Sequence, residues 1–188
     1  MKIATLLTLG LAALAPMGTA LAADDALPVE KPIRILGGIF SAKSGTNKQR
    51  TAFGVGYDFT KSTATKPSVY GVFLDYNSKK SGGLTSSMTG VGVSGRFYLE
   101  SANAAGKPYA TVGIGSFSVK SQTATSTQSS SRAAAVATTS TTASKIGGKL
   151  GIGYELNNGW LGEIDTTLIQ KVGGVDAGGV NVRIGYRF

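Results

Sequence analysis

Glu163 and Asp165 stand two residues apart, and Arg183 and Arg187 four apart, in segments where apolar and polar residues alternate. Side chains two apart on a strand share a face, so each pair projects to one side. Two adjacent carboxylates could divide general-acid and general-base work. Facing arginines across a strand pair, they could equally close an ion network, and charge on an inward face must be neutralised or hydrated in any case. The network is the more economical reading. Arg96, Lys149, Glu155, Glu163, Asp165, Arg183 and Arg187 are its candidate members, with Arg50, Asp58 and Asp75 on the same kind of face. Other chemistry is removed by absence. The chain has no His and no Cys, which excludes Ser-His-carboxylate catalysis, imidazole ligation, thiolate metal sites and a disulfide framework. Gly90-Val91-Gly92-Val93-Ser94-Gly95 matches G-x-G-x-x-G, but it lies inside a strand pattern with no helix after it, so no dinucleotide site is expected. A non-enzymatic protein without cofactor or metal is the expectation.

The elements that carry these residues are strands. Glycine is plentiful, at 27 of 188 residues, and Ser, Thr, Val, Tyr and Phe outweigh clustered helix formers. Period-two segments fall at roughly 33–42, 50–59, 68–76, 89–99, 108–119, 145–156, 160–170 and 179–188. Each is near the nine to eleven residues that a tilted transmembrane strand requires. Gly54, Gly56, Gly71, Gly92, Gly151 and Gly153 fill further inward positions. The final run, Val180 to Phe188, alternates without a break and ends on an aromatic residue. At the other end, Lys2, the apolar run Ile3–Leu14, the breakers Pro16 and Gly18, and Ala20-Leu21-Ala22 form a signal-peptide pattern. The expected division is a signal peptide over 1–22, a short periplasmic segment over 23–32 and a barrel over 33–188.

The signal pattern, the even strand count and the aromatic end at Tyr186 and Phe188 resemble the small eight-stranded bacterial outer-membrane barrels of the OmpX and OmpA transmembrane-domain type. The resemblance implies an all-β, antiparallel, up-and-down transmembrane barrel inserted by the barrel assembly machinery, with Tyr186 and Phe188 as the assembly signal. It also implies that the last strand ends on the periplasmic side. The links at 60–67, 100–107 and 157–159 are then periplasmic, and those at 43–49, 77–88, 120–144 and 171–178 external. Asn157-Asn158-Gly159 is a tight-turn signal. Tyr57, Phe59, Tyr70, Phe97, Tyr98, Tyr109, Tyr154, Trp160, Tyr186 and Phe188 gather at the periplasmic end as an interfacial girdle, with Phe40, Phe53, Tyr76 and Phe117 as a thinner outer one. Residues 121–144, nearly all Ser, Thr, Ala and Gln, read as a mobile external loop.

Charge gives the remaining expectation. The formal net charge is +9, and the external links concentrate cations at Lys43, Lys48, Lys79, Lys80, Lys120, Arg132 and Lys171. Outer-membrane lipids are expected around the wall, and lipopolysaccharide phosphates or other extracellular polyanions are natural counter-charges for such a rim. Nucleic acid is not, because the basic residues are scattered and the protein carries an export signal. The expected role is envelope structure or surface interaction. A porin-like narrow pore and a soluble lipocalin-like ligand carrier are the alternatives, the latter requiring apolar residues on the inward face.

Overall fold

The computed structural model describes residues 31–43, 49–60, 67–81, 84–99, 105–126, 136–171 and 176–188. The expected signal peptide, most of the segment before the barrel, Lys48 and Arg132 lie outside the described residues. Eight strands follow in chain order: β1 (Ile33–Ala42), β2 (Gln49–Asp58), β3 (Ser68–Ser81), β4 (Leu84–Tyr98), β5 (Gly106–Ser126), β6 (Val136–Leu156), β7 (Trp160–Ile169) and β8 (Gly179–Arg187). Each pairs antiparallel with the next and β8 closes on β1, so the sheet is a closed barrel. The seam runs from Arg34↔Arg187 to Ala42↔Gly179. Phe188 extends it, donating its N–H to the Ile33 carbonyl at 2.8 Å. Closure leaves no sheet edge inside the wall, which is the condition for strands to cross a bilayer.

Alternation sorts the side chains. Outward positions such as Ile35, Leu74, Val91, Ile152, Ile164, Val182 and Ile184 are exposed and apolar, and no charged residue takes an outward position between Ile33 and Ile39, Thr51 and Tyr57, or Val180 and Tyr186. A soluble protein does not expose a continuous apolar band of this extent, whereas a barrel facing lipid must. At the end carrying the tight turn, Tyr57, Phe59, Tyr154, Trp160 and Phe188 are exposed. Tyr186 lies edge-on between Trp160 and Phe188, with ring centroids 5.5 and 4.9 Å away. Gly159 closes the turn with φ of 95°, a left-handed conformation that favours glycine, and its N–H meets the Leu156 carbonyl at 2.9 Å.

Two sets of aromatics depart from the sequence expectation. Tyr98 and Tyr109, read as girdle residues, are buried in the bore, as are Phe40 and Phe117, read as an outer girdle. Parity explains it: Tyr98 is two residues from inward Arg96, and Phe117 shares parity with inward Thr111. Missing side chains make room for these rings. A Cβ on Gly153 would lie 2.3 Å from the Tyr109 ring, and one on Gly90 2.5 Å from that of Phe117.

The strands in the middle of the chain are also longer than their hydrophobic alternation indicates. β3 and β4 continue outward to Ser81↔Leu84, and β5 and β6 stay paired to Ser126↔Val136. The stretch read as a mobile loop over 121–144 is therefore in large part a two-stranded ribbon rising above the barrel. Threonine favours extended backbone, and the backbone ladder runs on through Ser121↔Thr141 where the apolar alternation has ended.

Candidate functional site

Inward side chains stack in three tiers along the bore. Nearest the tight-turn end, Asp58 from β2 and Glu155 from β6 are gripped by three arginines from β1, β4 and β8. Arg96 pairs with Asp58 and places Nη1 2.9 Å from Glu155. Arg187 reaches Asp58 at 2.5 Å and Glu155 at 3.0 Å, and Arg34 meets Asp58 at 3.3 Å. The Tyr98 hydroxyl donates to Glu155 at 2.5 Å and accepts from Arg96 at 2.9 Å.

The middle tier reverses the balance, with Asp75, Glu163 and Asp165 held by Arg183 and Lys149. Arg183 sits 2.5 Å from Asp75, 2.7 Å from Glu163 and 2.6 Å from Asp165. Lys149 lies 3.2 Å from Asp75 and 3.3 Å from Glu163. Asn181 donates to the second oxygen of Asp165 at 2.8 Å, and the Tyr109 hydroxyl donates to Glu163 at 3.1 Å. Every carboxylate of both tiers thus faces cations, and each is buried or half-buried. The arrangement pairs each carboxylate with guanidinium or ammonium groups and so balances charge within the bore.

Toward the ribbon end lies an apolar tier of Phe40, Ala42, Ala52, Met88, Phe117, Val119 and Ala177, joined by Phe73, which stands one inward step nearer the turn end than Asp75. Phe73 and Phe117 stack obliquely at 6.2 Å, and Lys149 lies 5.5 Å from the centre of the Phe73 ring, linking this tier to the ions beneath. Arg50 covers the Phe40 ring at 5.6 Å and donates to Asn77 at 3.2 Å.

All seven network candidates from the sequence face the bore, but in two groups. Lys149, Glu163, Asp165 and Arg183 meet in the middle tier; Arg96, Glu155 and Arg187 meet below. Arg187 does not join Glu163 and Asp165 as the strand-to-strand reading implied. The offset of two turns of the alternation carries it to the lower tier, where Asp58 reaches it from β2, on the far side of β1. Arg34 and the hydroxyls of Tyr98 and Tyr109 were missed. Arg34 was legible as an inward position, since a charge flanked by Ile33 and Ile35 belongs on the bore side of the alternation. Of the rim cations, Lys43, Lys79, Lys80, Lys120 and Lys171 are exposed at the ribbon end. Lys79 and Lys80 overhang β2, whose pairing with β3 stops at Thr51↔Ser78. There a cleft of about 470 Å³ is lined by Ile39, Gln49, Arg50, Thr51, Ser78, Lys79 and Lys80. Tyr186 and Phe188 lie in the turn-end girdle at the closing seam.

A closed antiparallel barrel with a charged, occupied interior and an apolar outer wall is the inverse of a soluble carrier for apolar ligands; it is the build of a protein that crosses a membrane by strands. The family model for the outer membrane protein β-barrel domain matches residues 7–188, and the chain belongs to that family. The protein is accordingly placed in the bacterial outer membrane, with lipid around its wall. Among solved structures, neisserial surface protein A is similar with a TM-score of 0.52 at 12% identity, covering 83% of this chain and 94% of that one. The N-terminal β-barrel domain of Pseudomonas aeruginosa OprF aligns at a TM-score of 0.49 and 11% identity, over 84% of this chain and 98% of that one. Ail, the attachment invasion locus protein of Yersinia pestis, aligns at 0.44 and 17% identity, over 86% of this chain and all, 100%, of that one. No curated protein sequence matches the chain.

Proposed function

We propose that the protein is a non-enzymatic, non-conducting barrel that serves the envelope from its outer surface, where its cationic rim engages the phosphates of lipopolysaccharide. The observation that carries this reading is the division of charge. Acidic and basic groups inside the bore are consumed by one another, whereas Lys43, Lys79, Lys80, Lys120 and Lys171 stand exposed at the ribbon end. The cleft at β1, β2 and β3 gives that rim a place suited to an amphiphile. Ile39 belongs to the lipid-facing wall, and Lys79 and Lys80 sit where an acyl chain gives way to a headgroup. Phosphate needs no rigid fork here, since lysine acts as a point charge. The narrow-pore reading has weaker support, because side chains of all three tiers occupy the path that a solute would take.

Refolded protein should bind phosphorylated lipid A more tightly than its dephosphorylated form, measured by equilibrium titration in vesicles. Each lysine near such a surface contributes about 1 kcal/mol, so Lys79→Gln with Lys80→Gln should weaken binding by about thirtyfold at low salt. Equal affinity for the two lipids would refute the proposal.

A further inference from the structure

The outward half of β6 has a neighbour on one side only. Its pairing with β7 stops at Gly147↔Ile169, whereas its pairing with β5 continues to Ser126↔Val136. From Val136 to Ile146, among the described residues, no strand lies along the other edge. Hydrogen-bond parity says which groups that edge presents. Asn157 donates its N–H to the Ala105 carbonyl at 3.1 Å, one step beyond the Gly106↔Leu156 pair. Bonded and non-bonded pairs alternate along an antiparallel ladder. Odd-numbered β6 residues therefore turn their backbone groups toward β5, and Thr138, Ser140, Thr142, Ser144 and Ile146 turn theirs toward the free edge. Side chains do not shield it: residues 139–142 and Ser144 are exposed, and Ile146 is 75% exposed.

A row of alternating N–H and C=O groups is complemented by another extended polypeptide. Natural edges of this kind are usually blunted by charge or proline. Between Val136 and Ser144 this one has neither. Its surroundings narrow the partner. Two copies of a chain with net charge +9 repel each other wherever Lys43, Lys79, Lys80, Lys120 or Lys171 come face to face, and the uncharged edge is where they can approach. Direction matters too. β6 runs from the ribbon end toward the membrane, so in a copy held by a facing membrane it runs the opposite way. The two edges then meet antiparallel, the more stable pairing. We infer that the outward half of β6 is a self-association strand that pairs with the same strand of a second copy in an opposing membrane, joining two envelopes. Eleven residues of strand extend roughly 36 Å, enough to carry the edge clear of the barrel mouth.

Proteoliposomes of phosphatidylcholine bearing the mature protein test this by light scattering, at an ionic strength where screening acts within about 8 Å. Vesicles should cluster in proportion to protein. Thr142→Pro removes an edge N–H without touching the β5 ladder and should slow clustering at least tenfold; Thr142→Val should leave it unchanged. Thr142→Lys provides a second disrupting variant, and heat-modifiable gel migration verifies closure of each barrel. Differently labelled protein-free vesicles, mixed in, should stay out of the clusters. Their recruitment would identify lipid as the partner and overturn the inference, as would wild-type vesicles that do not cluster, or clustering that survives both disrupting variants. None of these readouts depends on lipid A, so they fail or succeed independently of the proposed phosphate binding.

Discussion

Arg183→Ala is expected to cost the barrel about 3–5 kcal/mol, the range observed when one partner of a buried ion pair is removed. Arg183 touches Asp75, Glu163 and Asp165 within 2.7 Å, and its loss leaves three carboxylates around a single cation, Lys149. The repulsion that remains is worse than the missing attraction. Two consequences separate this from loss of packing. Adding Glu163→Gln and Asp165→Asn should recover most of the stability, because neutral amides no longer require the guanidinium. Arg183→Lys should recover only part of it, since an ammonium cannot present the forked donors that reach three acceptors. Urea titration of refolded protein, followed by gel migration of the closed form, measures all three variants. A loss of under 1 kcal/mol for Arg183→Ala would show that the middle tier is not held as described.

Phe117→Ala should be nearly as damaging, at about 3–5 kcal/mol. The ring is fully buried, lies against Phe73, and occupies the space above Gly90 where any other residue would place a Cβ. Truncation opens a cavity that β-sheet backbone on either side cannot collapse to fill. On the proposed non-conducting reading the same variant should remain closed to ions, because the two salt-bridged tiers still cross the bore beneath the apolar one. Destabilisation without conductance is the expected combination. Conductance after this single change would mean that the apolar tier alone is the barrier.

How far the sequence could be read follows from where lipid is. β1, β2, β7 and β8 agree with the alternation to within a residue or so, since each lies against hydrocarbon on one side and the bore on the other. β3 to β6 were read short because their outward ends leave the membrane. Without hydrocarbon, neither face of Ser121–Ser126 or Thr139–Ser144 needs apolar residues, and the period-two signal disappears although the strand continues. Inside the bore, parity identifies which residues face inward but not which of them meet. Arg187 and Asp58 are 129 residues apart and come together only because closure sets β8 beside β1 and so within reach of β2. The aromatic residues illustrate the same limit. Adjacent Phe97 and Tyr98 cannot both lie in the girdle; Tyr98 shares the face of Arg96 and joins the ions.

The most direct measurement is single-channel recording of refolded wild-type protein across a planar bilayer. Three occupied tiers predict a flat trace, without unitary steps, from protein whose closure has been verified by heat-modifiable migration. Stable, reproducible conductance steps from that same material would contradict a sealed bore and move the function from the outer surface to the interior.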